Sequence, residues 1–244
     1  MPAVEQSSIS NILLASLPPP EFELLQPHLE WVDLKLDDVL SKAHEVLEYG
    51  YFPVSGYCSI VSHNSEARIE TGLIGREGFV GVAMILLVDR SPHTNMVQSE
   101  GRAVRISRAK FSEALKQCPT LNRQLLHYIH VFILQSAYTS LANAHYKIEE
   151  RLARWLLMGH DRTDSTEIFM THQFLSLMLA VRRSGITDAL HVLEGKRLIK
   201  STRGRVTILN RSGLEEAAKG SYGIPEREYE RLIAPLRNHV TAQT

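Results

Sequence analysis

The sequence predicts an α+β fold: a β-rich N-terminal half, one long helix, and a C-terminal helix-turn-helix followed by a short two-stranded hairpin. Three observations predict it. Between Trp31 and Ser107, several short segments alternate apolar and polar residues with period two, as half-buried strands do. From Thr120 a three-four apolar repeat continues with few charges to Ala144, the pattern of one long helix. From Thr171 to Arg205, two helical stripes are followed by strand character on both sides of a turn cluster.

The elements follow in order. Leu13, Leu14, Leu17, Leu24 and Leu25 predict two short helices around the break Pro18-Pro19-Pro20. Trp31–Leu36, Tyr51–Val61, Arg68–Ile74 and Arg102–Ser107 read as strands of a small sandwich or barrel. Between them lie the glycine-rich Gly75–Gly81 and the apolar Val82–Leu87. Arg108 to about Gln117 reads as a short helix that ends near Cys118-Pro119. In the long helix Leu121, Leu125, Ile129, Phe132 and Ser136 follow the three-four repeat, and apolar residues cover much of the circumference. Such a helix needs cover on two sides, here the β domain and the same helix of a second copy. Ile148, Leu152, Trp155 and Leu156 share one face of an amphipathic helix, and Gly159 to Thr166 is a polar connection. Leu175, Met178 and Leu179 mark the first helix of the helix-turn-helix, and Ile186, Leu190 and Leu193 mark the second. Leu198, Ile199, Val206 and Ile208 flank the turn Ser201-Thr202-Arg203-Gly204. The stretch from Tyr222 to Thr244 reads as a mostly polar helix with no assigned role.

Charge points to a partner. From Thr171 to Arg205 there are seven basic and two acidic residues, a balance of +5 in a chain of formal net charge +0. A local cation excess on a helix-turn-helix with a basic hairpin is the footprint of a nucleic-acid backbone. Arg182, Arg183 and Ser184 open the second helix, whose N-terminal residues reach base edges in the major groove. The same features on a solvated basic face with no nucleic acid are the plainer alternative.

Composition excludes other classes. At 44% hydrophobic and 22% charged residues over 244 positions, the chain reads as an ordinary globular protein of two domains. Apolar runs of spanning length and a signal h-region are missing, so the expectation is a cytoplasmic protein with no membrane partner. Two cysteines, Cys58 and Cys118, are too few for a four-cysteine site and read as buried thiols. The eleven histidines have no ligand spacing, and no metal or cofactor is expected. Glu66, Glu70 and Glu77 are close in sequence but read as solvated strand charges, so the chain is not expected to be an enzyme.

From about Leu24 to Leu214 this plan resembles the Crp/Fnr superfamily, the relatives of the bacterial cyclic-AMP receptor protein. KIEERLARWLL, from Lys147, is similar to the family's helix leading into its DNA-binding domain. THQFLSLMLAVRRSGITDALHVLEGKRLI, from Thr171, is similar to its helix-turn-helix at most hydrophobic positions. The resemblance implies a cyclic-nucleotide-binding-type β-roll at 1–118, a dimerisation helix at 119–145, a winged helix-turn-helix at 146–221 and a C-terminal extension at 222–244. It implies a homodimer on double-stranded, palindromic DNA that regulates transcription and contacts RNA polymerase.

Residue by residue, Arg183 matches the family's guanine-reading arginine. Ser184 replaces a glutamate that reads cytosine in many members, and Asp188 replaces a second base-reading arginine, so a different operator is expected. Arg182 and Thr187 are further candidates on the same helix. Thr171, Gln173, Arg205 and Thr207 are candidate phosphate contacts, or else a helix cap and solvated polar positions. In the sensor half Gly75-Arg76-Glu77-Gly78 is similar to the ribose-binding pair, and with His93 and Thr94 it forms the candidate ligand pocket. The arginine that holds the cyclic phosphate has no counterpart around His93–Val97, and the iron–sulfur cysteines of the oxygen-sensing branch are missing too. The effector is therefore unknown and expected not to be cyclic AMP. The alternative reading is a small-molecule sensor or interaction module whose DNA binding is weak or vestigial.

Overall fold

The structure, a computed structural model, describes residues 3–65, 68–233 and 235. Glu66 and residues 236–244 of the C-terminal extension lie outside the described residues. The chain falls into two compact units. The first holds residues up to 60, then 74–133, then from 227 on; the second holds 61–73 and 134–226.

Two short helices, α1 (Ile12–Ala15) and α2 (Pro19–Leu25), precede the first strands. Asn11 caps α1 by accepting from the Leu14 N–H. Pro19 and Pro20 occupy the first turn of α2, where a missing N–H costs no helical bond. The strands β1 (Glu30–Leu34), β2 (Val39–Ser41), β3 (Tyr49–His63), β4 (Arg68–Ile74) and β5 (Thr94–Ser107) form one sheet among the described residues. Its order is β1-β5-β3-β4, with β2 also paired to β5. β1 runs antiparallel to β5 with Trp31 opposite Val104 and Leu34 opposite Gly101. The short helix α3 (Val82–Ile85) lies between β4 and β5, and α4 (Arg108–Gln117) follows.

The centre of the first unit is aromatic. The Phe79 ring lies 4.7 Å from that of Phe52 and stacks on that of Phe111 at 4.6 Å. A Cβ on Gly50 would come within 2.1 Å of the Phe79 ring, so the strand needs glycine there for the ring to pack. The helix α5 (Pro119–His145) buries Leu121, Leu125 and Ile129 of the predicted repeat and Tyr128 beside them, while Phe132 and Ser136 are half-buried. Leu126 and Ile133 on the same helix are 53% and 59% exposed, so part of its apolar circumference meets solvent.

In the second unit α6 (Ile148–His160) buries Leu152, Trp155 and Leu156 and packs against two later helices, α8 (Arg183–Gly195) and α9 (Arg211–Ala218). The helix α7 (His172–Met178) precedes α8, and α10 (Ile224–Leu232) follows α9. The strands β6 (Glu167–Phe169), β7 (Ile199–Thr202) and β8 (Arg205–Ile208) form a sheet in the order β6-β8-β7.

Several bounds differ from the sequence expectation. β5 begins at Thr94, well before the alternation at Arg102 that signals it, and β1 ends at Leu34. β2 and β6 have three residues each, too few for a period to register. Ser201 and Thr202 belong to β7, which narrows the turn to Arg203-Gly204 with Gly204 at φ +76°. Glu70 is buried, against the expectation of a solvated strand charge.

Candidate nucleic-acid interface

The two helices of the motif are set by a tight turn. Thr171 caps α7, its Oγ1 accepting from the Phe174 N–H at 3.1 Å. After Leu179, Ala180 takes φ +49° and the Val181 N–H bonds back to the Ser176 carbonyl, which closes the turn. Leu175 and Met178 on α7 and Ile186, Ala189, Leu190 and Leu193 on α8 are buried. At about 100° per residue, Arg183, Ser184, Thr187 and Asp188 fall on the opposite side of α8. Arg182, Arg183, Ser184 and Asp188 are exposed there, and Thr187 is half-buried. Arg182 is the N-cap residue, and no side chain caps the helix. The unshared N–H groups and the positive end of the helix dipole thus meet solvent beside two arginines, a combination suited to an anion.

Thr187 is tied locally. Its hydroxyl lies 3.2 Å from the Arg183 carbonyl and 3.2 Å from His172 Nδ1, which links the first turns of α7 and α8. Gln173 is exposed one turn into α7. Thr171 thus acts as a helix cap, one of the two roles read for it from the sequence, and its side chain is exposed.

The hairpin places its charges by register. In the β6-β8 ladder Phe169 is opposite Arg205 and Glu167 is opposite Thr207; in β7-β8, Lys200 is opposite Thr207. Ile168, Val206 and Ile208 point inward and are buried, so Glu167, Phe169, Lys200, Arg205 and Thr207 share the outer face. Arg205 Nη1 reaches Glu167 Oε2 at 3.3 Å, and its guanidinium lies over the Phe169 ring at 4.6 Å. Glu194, one of the two acidic residues of the basic segment, accepts from the Ser201 N–H at 2.6 Å and so braces α8 to β7.

A polar cluster supports this unit from behind. Arg211 on α9 donates to His160 Nδ1 at 2.7 Å, to Asp161 Oδ1 at 2.7 Å and to the Tyr222 hydroxyl at 2.8 Å. The Tyr222 hydroxyl donates to Asp161 Oδ2 at 2.8 Å. Burial, then the Arg211 charge, lowers the His160 pKa, and burial followed by Asp161 raises that of Tyr222. The buried Arg154 guanidinium donates to the Ser221 carbonyl at 2.8 Å and to that of Gln135 at 3.3 Å.

The candidate ligand turn is largely occupied by the protein itself. The Gly75 N–H donates to Glu77 Oε1 at 3.1 Å, and the Gly78 N–H donates to the Gly75 carbonyl. Asn11 Nδ2 holds the Gly78 carbonyl at 2.9 Å, and the Arg76 carbonyl accepts from the Ile12 N–H. A Cβ on Gly78 would lie 2.5 Å from the Tyr128 ring, so that ring is seated directly on the turn. The buried Glu77 carboxylate also opposes an incoming anion, and with burial as the larger cause the Cys58 thiol is pushed up to about 12. At the start of β5 the His93 N–H donates to Ser91 Oγ, and the Thr94 hydroxyl accepts from the Ala43 N–H. Burial lowers the His93 pKa. Among the described residues, no helix is long and apolar enough to cross a membrane.

Sequence reasoning passed over three residues of the candidate interface. His191 is exposed one turn beyond Thr187 and continues the α8 stripe. Phe169 and Glu167 flank Arg205. The run Ile168-Phe169-Met170 reads as wholly apolar, yet Ile168 and Met170 are buried while Phe169 is 56% exposed. A strand period applied to that run would have turned Phe169 outward.

Comparisons agree with this geometry. Residues 150–217 match the Crp-like helix-turn-helix domain. No curated protein matches the chain. Among solved structures, the chain is similar to FixK2 from Bradyrhizobium japonicum, at 15% identity and a TM-score of 0.67 over 78% of this chain and 96% of that one. It is also similar to the c-di-GMP responsive global regulator CLP of Xanthomonas campestris, at 15% identity and a TM-score of 0.63 over 78% and 99%. A CRP/FNR family transcriptional regulator from Thermus thermophilus aligns at 18% identity and a TM-score of 0.60 over 79% and 100%. At such identities the likeness is one of fold: a β-rich sheet, a long helix and a C-terminal helix-turn-helix.

Proposed function

We propose that this chain, which has the Crp/Fnr-type regulator fold with a Crp-like helix-turn-helix domain at 150–217, acts as a homodimeric transcription regulator on a two-fold symmetric operator. In this reading residues 1–118 are the sensor, 119–145 the dimerisation helix, 146–221 the DNA-binding domain and 222–244 an extension. The observation that carries it is the N-terminal stripe of α8, with Arg182, Arg183, Ser184 and Asp188 exposed and Thr187 half-buried, opposite the helix's buried side. Arg183 reads a guanine, while Thr171, Gln173, Arg205 and Thr207 grip phosphates. The exposed Leu126 and Ile133 supply the dimer seam, which would set two α8 helices about 34–36 Å apart, one turn of duplex. RNA polymerase is the downstream partner that the fold implies.

The effector in this reading is not cyclic AMP. Glu77 occupies the Gly75 N–H and brings a carboxylate into the turn, and no arginine stands around His93–Val97, where the family holds the cyclic phosphate. Selection of bound duplexes from a random pool, with and without cell extract, tests the reading and returns operator symmetry. Arg183→Ala should weaken the selected site by about 1–3 kcal/mol and relax one base position. A monomer that enriches no sequence would refute it.

A second reading, a sensor or interaction module with weak DNA binding, is favoured by Ser184, which lacks the carboxylate that reads cytosine in many family members, and by Asp188, which sets a negative charge where a second base-reading arginine stands. A flat dependence of affinity on salt would select it, because real phosphate contacts give a steep one.

A further inference from the structure

The outer face of the β6-β8-β7 sheet carries an arrangement that a solvated wing does not need. Phe169 is 56% exposed on β6, which among the described residues is an edge strand paired with β8. Its backbone register puts it directly opposite Arg205, and the guanidinium lies over its ring at 4.6 Å. Glu167, two residues back on the same face, takes Arg205 Nη1 at 3.3 Å. Immediately after Phe169, the Met170 N–H donates to the Gly204 carbonyl at 2.9 Å, which fixes the strand end to the wing turn. Thr171, the next residue, caps α7. Phe169 thus stands between the wing turn and the first helix of the motif, the two elements that flank a phosphate strand in the reading above.

A long arginine on an exposed strand samples many rotamers, and ordering it at a phosphate has an entropic cost. A flat ring beneath the guanidinium narrows that choice in advance and leaves its edge N–H groups free to bond. The Glu167 carboxylate satisfies those N–H groups when no duplex is present. We propose that Phe169 is a positioning residue for DNA binding: its ring holds the Arg205 guanidinium beside the wing turn, and on binding Arg205 exchanges the Glu167 carboxylate for a backbone phosphate. The inference rests on the DNA-binding reading and names the residues that control one of its contacts.

The test is a double-mutant cycle on the full chain, with affinity for its selected duplex measured across a salt series. Arg205→Ala should flatten the slope of log affinity on log salt by about 0.9, the loss of one phosphate contact. Phe169→Ala and Phe169→Leu should each give most of that flattening and a several-fold weaker complex. Phe169→Trp should restore the unmodified slope, since tryptophan holds a cation at least as well. Adding Phe169→Ala to Arg205→Ala should change nothing further, because the two act as a unit. Glu167→Gln should tighten binding to any duplex several-fold by removing the competing carboxylate. Circular dichroism melts report whether each variant is folded, and Phe169→Leu keeps the apolar bulk should Phe169→Ala be unstable. Additive effects of Phe169 and Arg205, or a Phe169→Leu slope equal to the unmodified one, would overturn the proposal while leaving DNA binding intact. An unmodified protein that binds no duplex at any salt would overturn the DNA-binding reading itself, and this proposal with it.

Discussion

The Trp155 indole N–H donates to Glu70 Oε1 at 2.9 Å, and both side chains are buried, at 3% and 4% exposure. A carboxylate buried to this extent depends on its donors. Removing one leaves a buried acceptor short of a donor and costs more than the bond itself contributes. Trp155→Phe keeps most of the ring volume and deletes the donor. It should lower stability by about 1–3 kcal/mol, read as a lower urea midpoint at constant slope. An unchanged midpoint would show that Glu70 is fully served by its other surroundings.

Packing at the Gly75–Gly78 turn gives a second expectation. A Cβ on Gly78 would meet the Tyr128 ring at 2.5 Å, and Tyr128 is 3% exposed with little room to retreat. Gly78→Ala should therefore destabilise the first unit by about 1–3 kcal/mol through overpacking. Pairing it with Tyr128→Leu should recover part of the loss. Thermal melts of the three variants decide it; equal melting temperatures for Gly78→Ala and the unmodified protein would contradict this packing.

His160 makes stability depend on pH in a defined direction. Its Nδ1 accepts from Arg211, and burial first, then the Arg211 charge, lowers its pKa below 6.5. A depressed histidine pKa means that the unfolded chain binds the proton more readily. This contribution is fully present above the unfolded value of 6.5 and is lost as pH falls from there through the folded value. His160→Asn retains a side-chain acceptor but does not titrate. The stability difference between the two proteins should thus be constant above neutrality and change only on acidification, as followed by urea melts from pH 8 to pH 5.

The exposed apolar residues of α5 predict a contact between copies. Leu126 and Ile133 are seven apart, two turns of helix, and both are more than half exposed. In the proposed dimer this is the seam, so Ile133→Glu should sediment as a monomer at equilibrium and bind DNA more weakly, since one half-site gives far less affinity than two. If Ile133→Glu sediments as the unmodified protein does, the seam lies elsewhere.

The sequence by itself determined the β-rich first half, the long helix, the helix-turn-helix and the basic segment. Each depends on local period or local charge: the buried stripe of α8 recurs within 13 residues, and the cation excess is a count along the chain. The strands β2 and β6 stayed hidden because three residues carry no period. Only the tertiary structure decided what each charge touches. Glu167 and Arg205 are 38 residues apart and Glu70 and Trp155 are 85 apart, and their meeting depends on strand register and helix packing. It also turned Phe169 outward from an apolar run and filled the Gly75–Gly78 turn with the Glu77 carboxylate and the Tyr128 ring. The physical reason is range: periodicity acts over one or two turns of chain, whereas burial and pairing are settled by whichever distant segment folds against it.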